Sequence, residues 1–499
     1  MEIATLTATG EARASGRQVL AARARAVPWP WIALAALTIA TAIGFFVYPT
    51  YPNYDSYYSL LWGREVLHGT LPSFDAYRAP TEHPLSIAFG AILSLVGSGA
   101  DRIMVGATLG SFVVLAAGLY RLARASFGTV VGLVAGALVC TRFDFPFLAA
   151  RAYIDIPYLA FVIWAAALEA ERPRRGTSVL LLLTCAGLMR PEAWLLAGLY
   201  FLWIAVPATW PQRIRYALLT AAAPLIWVMV DAIVTGDPMF SLTHTNGLAD
   251  ELGRQKGLAQ VPSATVHFLE NLDKLPVLAA AIAGLAIAVA LVPTRVVMPL
   301  ILLVIGIGTF FLVGLAGLSV IDRYLLVPSL MVMVFAAVAL GGWSMLRPGV
   351  KVRPAWGAAA AVIVVYGVVY TLTHVTFATF DQELRFRGDS HRSLEALLAN
   401  PRVRAAMKCG PVSVPNHKLL PDTRWVLNAG VNDVIARSDA KERARASRGV
   451  AILTTNRLSL LRQGFDPDDT SNQAIAEVLP PPGFKWIAAT AYYGAYARC

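Results

Sequence analysis

The sequence predicts an α-helical protein that crosses a membrane many times and carries a small α/β domain at its C-terminal end. Of its 499 residues, 57% are hydrophobic and only 15% are charged, and the mean hydropathy is +0.58. Soluble proteins have about 25% charged residues, so a purely cytosolic enzyme is excluded. The net charge of +11 is typical of membrane proteins with basic cytoplasmic loops. We therefore assign the charge to topology and expect no nucleic-acid partner.

Apolar runs of about 17–25 residues, the length that spans a bilayer, predict about eleven transmembrane helices. The segment 1–30 carries four arginines, which places it in the cytoplasm by the positive-inside rule. The run that follows is too long for the apolar core of a signal peptide. The predicted spans are 31–48, 103–120, 127–140, 156–170, two short helices within 177–210, then 217–235, 276–292, 296–320, 324–346 and 355–375.

Two segments need a special placement in this transmembrane domain, which covers residues 31–375. The apolar run 85–99 is short, and a crossing there would turn every later basic loop outward. It is therefore predicted to lie on the outer face as an interfacial helix in the first outer loop. Residues 177–210 have basic flanks on both sides, so they are predicted to form a hairpin with Arg190-Pro191-Glu192 at its outer tip.

The tail, residues 376–499, differs in composition because charged residues occur throughout it. It is predicted to be a small extracytoplasmic α/β domain. Its two cysteines, Cys409 and Cys499, are expected to form a disulfide in an oxidising exterior, with two free thiols as the alternative. Helix-like and strand-like stretches alternate along the tail: 393–407, 411–415, 440–447, 450–455 and 486–491.

Ionisable residues on the outer side provide a second signal. Such groups near membrane depth are costly and usually mark a function or pair with one another. These residues come from five separate loops that share one leaflet, so a single outer cleft is predicted. They are Asp55, Arg78, Glu82, His83, Asp144, Arg151, Asp155, Arg190, Glu192, Asp237, His244, Asp322 and Arg323.

The first outer loop, residues 50–84, is the richest part. Asp55 follows the first span among several tyrosines, and partial burial of a carboxylate there favours a role as general base. The alternative is that Asp55 caps a helix starting at Ser56. The Glu82-His83 pair could bind a cation or a phosphate, or could simply end the loop.

The later loop 236–275, with an amphipathic helical pattern from Val261, is predicted to be a lid or a structural cover.

Together these features resemble the GT-C superfamily of integral-membrane glycosyltransferases. Within it, the chain is similar to the protein O-mannosyltransferase and aminoarabinose-transferase branch and to related actinobacterial-type enzymes. The likeness covers the layout of residues 30–375. It rests on Asp55 after the first span, the stretch Arg78-Ala-Pro-Thr-Glu82-His83-Pro84 before the interfacial helix, the acidic second loop, the Arg-Pro-Glu tip, the run Asp322-Arg323-Tyr324-Leu-Leu-Val-Pro and the external tail.

The resemblance implies an inverting enzyme of the plasma membrane. It would move a sugar such as mannose or arabinofuranose from a polyprenyl-phosphate donor to a hydroxyl of a glycan, glycolipid or protein acceptor, with Asp55 as the general base. Arg78, Glu82, His83, Arg190 and Arg323 would bind the donor phosphate and sugar. Asp144, Arg151, Asp155, Glu192, His244 and Asp322 are candidates for binding the acceptor or a metal.

Two points stay open at this stage. The spacing between Asp144 and Asp155 is wider than the acidic pair of the oligosaccharyltransferase branch. A divalent cation is therefore possible but is not implied, and no other cofactor is expected. The alternative functions are a secondary transporter and another membrane protein that handles lipid-linked glycans. Against a transporter, the unusual residues lie in loops and no inverted repeat of interrupted helices is visible.

Overall fold

The computed structural model describes residues 28–374, 377–465 and 471–499. The predicted cytoplasmic segment 1–30 falls almost entirely outside the described residues, as does the predicted domain boundary between residues 375 and 376. Residues 28–374 are predominantly helical, as the apolar runs predicted. Their helices are α1 (Trp29–Val47), α2 (Tyr54–Leu67), α3 (Pro84–Ser94), α4 (Ala100–Phe127), α5 (Thr129–Thr141), α6 (Asp144–Ala150), α7 (Asp155–Glu171), α8 (Thr177–Gly187), α9 (Glu192–Ala205), α10 (Trp210–Thr235), α11 (Phe240–Glu251), α12 (Val261–Asp273), α13 (Leu275–Leu291), α14 (Val297–Leu315), α15 (Leu326–Gly341) and α16 (Val352–His374).

The chain is a multi-pass membrane protein. Among the described residues, six helices are long and apolar enough to cross a membrane, and the number rises to eight if each of two bent helix pairs is one span. The predicted count of about eleven is higher. It included α7, α8 and α9, which have only 17, 11 and 14 residues. The helical pair α8 and α9 does flank the Arg190-Pro191-Glu192 turn, as the hairpin prediction required.

The centre of the helical bundle is α15, which packs against α5, α13 and α14. Within Asp322–Met345, an apolar stretch of 18 residues has 89% of its residues buried. Gly284 allows α13 to approach α15 closely, because a Cβ at this position would lie 1.8 Å from the Phe335 carbonyl oxygen. Asp322–Leu325, a 3-10 turn just before α15, is thus fixed to the best-packed helix of the protein.

Local sequence explains where α10 begins and ends. Thr209 and Gln212 form a reciprocal capping box at its first turn, which satisfies backbone N–H groups that the helix leaves free. Gly236 ends the helix with φ +81, a left-handed conformation that glycine adopts without steric cost. The segment after α10 then turns back over the first loop as α11.

Helices α2 and α3 cross at a pair of glycines. A Cβ on Gly63 would lie 2.3 Å from the Ala91 backbone nitrogen, and one on Gly90 would lie 2.3 Å from the Ser59 carbonyl oxygen. The two backbones are therefore in direct contact, and neither position has room for a side chain. This crossing fixes α2 against the run 85–99, whose helix α3 has the short, apolar character predicted for an interfacial helix.

The tail forms the predicted small domain with a mixed sheet. Strands β1, β2 and β3 are parallel neighbours, and β5 pairs antiparallel with both β3 and β4, giving the order β2-β1-β3-β5-β4. Cys409 and Cys499 are joined in a disulfide, as the first of the two alternatives predicted. The elements are α17 (Phe377–Ala399), α18 (Pro401–Ala406), β1 (Val412–Val414), α19 (Leu420–Leu427), β2 (Val434–Ala436), α20 (Ala440–Arg445), β3 (Gly449–Thr454), α21 (Arg457–Gln463), α22 (Asn472–Val478), β4 (Lys485–Ala489) and β5 (Tyr493–Arg498).

Ion pairs hold this domain against α2. Arg424 Nη2 lies 2.7 Å from Glu65 Oε1 near the end of α2. Arg387 makes a bidentate pair with Asp422 at 2.5 and 2.6 Å, and it also donates to the Pro52 carbonyl at 2.8 Å. Because these side chains are largely buried, the tail domain clamps both ends of α2.

We expect Gly90→Ala to destabilise the protein by about 1–3 kcal/mol, the usual cost of overpacking, because the new Cβ would overlap backbone atoms of α2. Thermal unfolding of the purified protein in detergent measures this. The control is Gly110→Ala on α4, which has no atom within 4 Å of the new Cβ. Equal melting temperatures for the two variants would contradict the backbone contact.

Candidate active site

The site is built around Asp155, the first residue of α7, whose side chain is fully buried. Its Oδ1 pairs with Nη1 of Arg190, and its Oδ2 lies 3.3 Å from Nη1 of Arg323. Arg190 comes from the turn between α8 and α9, and Arg323 comes from the 3-10 turn before α15. A buried charge is stable only when it is well paired, so this carboxylate holds three distant parts of the chain together.

Asp55 lies on the other side of Arg323. Its Oδ2 is 3.4 Å from the same Nη1 atom, and 21% of its side chain is exposed. The alternative role of Asp55 as a helix N-cap is wrong, because Asn53 is the N-cap of α2 and accepts the Ser56 N–H at 2.8 Å. The Asp55 carboxylate is thus free of backbone hydrogen bonds at the cap and faces the arginine cluster.

A second carboxylate and several tyrosine rings also surround the two arginines. Arg190 Nη2 lies 3.1 Å from Oε1 of Glu192, which the sequence had indicated as an acceptor or metal candidate. The tyrosines were not predicted. The rings of Tyr158 and Tyr324 lie 5.7 and 5.2 Å from the guanidinium carbon of Arg190. Tyr153 makes a similar contact to Arg323 at 5.4 Å. These tyrosines stand within three residues of Asp155 or directly after Arg323, and that proximity was the available signal.

His83 borders the same cluster. Burial and the positive charge of Arg190 lower the pKa of His83 to about 3, so its imidazole is neutral and supplies no positive charge at physiological pH. Its ring meets Trp227 edge to face at 5.9 Å. The Leu85 N–H donates to the Leu188 carbonyl at 3.2 Å, which joins the start of α3 to the turn that carries Arg190.

A small cavity of about 20 Å³ opens beside the arginines. Arg190, Glu192 and Arg323 form part of its lining, and Leu196, Ile305 and Val327 supply apolar surface. Three of the lining residues belong to α14, a candidate membrane span, so the cavity combines two cations with apolar side chains. Its lining residues are Tyr158, Arg190, Glu192, Leu196, Ile305, Gly306, Thr309, Arg323, Tyr324 and Val327.

Arg78 lies elsewhere. Its Nε is 3.3 Å from Glu251 Oε2 on α11, and it lines a second, larger cavity of about 770 Å³ between the first loop, the end of α11 and the tail domain. His244 is also apart from the cluster, because its Nε2 lies 2.9 Å from the Ala79 carbonyl oxygen. The structure therefore assigns both residues to the contact between α11 and the first loop.

Glu82 is completely buried beside Asp231 and Ser241, and in the described part of the chain it forms no ion pair with the arginine cluster. Asp237 accepts the Met239 N–H at 2.9 Å, a local turn contact.

The second loop is split in two. Asp155 joins the arginines, whereas Asp144 interacts electrostatically with Asp322 and with Arg142. Arg151 is half-buried, and desolvation of its guanidinium lowers its pKa to about 10. Its carbonyl accepts the Asn53 N–H at 2.8 Å, so it anchors the start of α2. Within the described part of the chain, no group of three or more His, Cys, Asp or Glu residues is placed to hold a metal ion.

We expect Asp155→Ala to destabilise the protein by about 3–5 kcal/mol, because it leaves two buried guanidinium groups without their shared carboxylate. Unfolding of the detergent-solubilised protein by heat or denaturant measures this. Glu171→Ala is the control, since its pair with Arg121 is about one-third exposed and such pairs contribute about 0–1 kcal/mol. A loss at Asp155 no larger than that at Glu171 would show that Asp155 does not organise the cluster.

Comparisons with known proteins were made for both sequence and structure. No protein-family profile matches the sequence, and no curated protein matches it significantly. The structure is similar to that of ArnT from Cupriavidus metallidurans in its apo state, with a TM-score of 0.56 and 13% sequence identity over 94% of this chain and 97% of that one. The chain thus has the fold of ArnT along almost its whole length, including the small tail domain.

Proposed function

We propose that this protein transfers a sugar from a polyprenyl-phosphate donor to an acceptor hydroxyl at the outer face of the membrane. The shared fold with ArnT agrees with the GT-C resemblance of the sequence and supports a lipid-linked sugar transferase. One observation carries the proposal. Arg190 and Arg323 share one buried carboxylate, Arg323 also contacts the partly exposed Asp55, and both arginines line a cavity that has apolar side chains in its lining.

The arginines fit the leaving group of such a reaction. When the bond between the sugar and the phosphate breaks, negative charge develops on the phosphate, and fixed cations stabilise that charge best. Arginine binds phosphate through several parallel N–H donors. Because Asp155 already holds Arg190 and Arg323 in place, they need little reorganisation when the donor binds.

The apolar wall fits the carrier. A long isoprenoid chain cannot be stored in an aqueous pocket, but it can lie along a membrane helix. Ile305 and Val327 line the cavity, and Val304 next to them is 60% exposed on the outer surface of α14. The lipid would therefore leave the site along α14 while its phosphate stays at the arginines.

The charges of the cluster come close to balance before a donor binds. Arg190 and Arg323 carry two positive charges, against three negative charges on Asp55, Asp155 and Glu192. A further cation, Arg254, interacts electrostatically with Tyr324 at the cavity and makes the count equal. Arg254 is exposed and was not predicted from sequence. It is the natural cation to meet an incoming phosphate.

Asp55 fits the general base. It is the most accessible carboxylate that contacts the arginine pair. Because Asp55 contacts Arg323 directly, it lies next to the proposed phosphate site. In an inverting transfer the acceptor oxygen attacks the face of the anomeric carbon opposite the leaving phosphate. Asp55 would take the proton from that oxygen, and Arg190 with Arg323 would receive the phosphate.

The transporter alternative has weaker support. A transporter would be expected to depend on a mid-membrane acid such as Asp231, which is buried in α10. Both of its oxygens accept hydrogen bonds from Ser241, at 2.8 and 2.9 Å. An acid fixed in this way is suited to holding two helices together, and it does not line either cavity described above.

Asp55→Asn should lower sugar transfer by about 10²–10⁴-fold, the usual contribution of a general base, while expression and melting temperature stay unchanged. The assay uses membranes supplied with radiolabelled polyprenyl-phosphate mannose or arabinose and measures the release of polyprenyl phosphate. Asp75→Asn is the control, because Asp75 is an exposed acid in the same loop. Full activity in the Asp55 variant would refute its role as base.

Thr309→Trp should fill the cavity and reduce the amount of polyprenyl-phosphate lipid that copurifies with the protein at least fivefold, as measured by mass spectrometry. Leu312→Trp is the control on the same helix, since Leu312 is 49% exposed on the outer surface. If both variants retain equal amounts of the lipid, this cavity does not hold the carrier.

A further inference from the structure

Glu82 and Asp231 form a buried pair of acids without a cation. Glu82 has no exposed surface, and among the described residues neither of its carboxyl oxygens meets a donor with full hydrogen-bond geometry. Its polar neighbours are the carboxylate of Asp231, which is 2% exposed, and the hydroxyl of Ser241. Two buried carboxylates side by side cannot both be ionised without strong repulsion.

The hydrogen bonds of Ser241 distinguish the two acids. Ser241 donates both its N–H and its O–H to Asp231, so its donors serve Asp231 first. Burial is the main cause that raises the pKa of Glu82 to about 8, and the neighbouring Asp231 adds to the shift. Glu82 is therefore the protonated member at neutral pH, and its O–H can donate to Asp231.

This pair joins three segments. Glu82 belongs to the first loop, Asp231 to α10, and Ser241 to the first turn of α11. Two further contacts continue the same line along α11. Thr245 Oγ1 lies 2.6 Å from Thr81 Oγ1, and His244 Nε2 lies 2.9 Å from the Ala79 carbonyl oxygen. Helix α11 thus rests on the first loop through a row of polar contacts that ends at the acid pair.

The pair also lies next to the proposed active site. His83 follows Glu82 directly in the sequence and interacts electrostatically with Arg190, Asp155 and Arg323. Trp227 links the two regions, because it meets the His83 ring edge to face at 5.9 Å and donates its indole N–H to Ser241 Oγ at 2.6 Å. A change at the acid pair therefore reaches His83 through one peptide bond and one aromatic contact.

We propose that Glu82 and Asp231 share one proton, and that this proton holds α11 on the first loop and keeps His83 in position beside the arginine cluster. Glu82 is then a positioning residue that acts through His83 and does not touch the substrate. Its effect on transfer rests on the proposed function, whereas the shared proton itself does not. Loss of the proton leaves two adjacent buried charges, which would separate α11 from the loop.

The first test is the pH profile of sugar transfer. A single group with a pKa of about 8 is about nine-tenths deprotonated one pH unit higher, so wild-type activity should fall about tenfold between pH 7 and pH 9. Glu82→Gln keeps a neutral group of the same shape. We expect this variant to retain activity at pH 7 and to show little of the wild-type fall in activity between pH 7 and pH 9. Asp250→Asn is the control, because this acid on α11 is 70% exposed, and it should keep the wild-type profile.

The second test is thermal unfolding in detergent, which requires no substrate. In the unfolded chain Glu82 has an ordinary pKa near 4.5, below its folded value of about 8. Its contribution to stability is therefore fully present below pH 4.5 and is lost as the pH rises to about 8. The wild-type melting temperature should fall relative to that of Glu82→Gln across this range and run parallel to it above pH 8.5. Asp231→Asn neutralises the other acid and should flatten the difference in the same way.

Each outcome has a defined meaning. If Glu82→Gln keeps both the alkaline decline and the wild-type pH dependence of melting, the shared proton is refuted. If it loses transfer at every pH with unchanged melting, Glu82 acts directly on substrate and its positioning role is refuted. All samples are first treated with EDTA, because a bound cation could also reconcile two acids, and restoration of activity or stability by added Zn²⁺ or Mg²⁺ would overturn the proposal. If no variant or wild-type protein transfers sugar, the proposed function fails while the melting series still tests the proton.

Discussion

The structure depends on the burial of the Asp155 carboxylate between two guanidinium groups. Moving an unpaired charge of this kind out of water costs several kcal/mol, so the fold is stable only if residues far apart in sequence meet. Arg190 must arrive from a helical hairpin and Arg323 from the turn before the central helix. Once they have met, the energy that stabilises the fold also fixes two cations at the end of a cavity. Stability and the proposed phosphate site therefore share one cause.

A second constraint places Asp55. Helix α2 is not a membrane span, and nothing in its own sequence directs it toward the arginines. Its position is set by the glycine crossing with α3 on one side, and on the other by the Glu65–Arg424 ion pair and the hydrogen bond from Arg387 to the Pro52 carbonyl. The tail domain thus has a physical role in the site even though it supplies none of the arginine cluster. Its mixed sheet holds α19 rigidly enough to clamp α2.

The sequence predicted those features that depend on composition and on charge at membrane depth. Long apolar runs located the helices, and the cost of charge at membrane depth placed Asp155, Arg190 and Arg323 among thirteen candidate residues without distinguishing them from the rest. The count of spans exceeded the number of candidate helices because apolar character does not report helix length, as α8 and α9 show. Arg78 could not be separated from the cluster, since loop direction depends on its contact with Glu251. The alternative N-cap of α2, Asp55, lies two residues after the true cap, Asn53. Both residue types are good caps, and only the backbone conformation distinguishes them.

The contrast between Asp155 and Glu82 shows how one site uses two equally buried acids. Both side chains have no exposed surface, so burial alone would neutralise each of them. Asp155 has two arginines and stays ionised, which gives it the charge needed to hold them. Glu82 faces another acid and takes up a proton, which gives it a donor to hold Asp231. His83 stands between these two acids. Asp155 therefore acts on His83 through a permanent charge, and Glu82 acts on it through a proton that can be lost. Only the contribution of Glu82 can respond to pH.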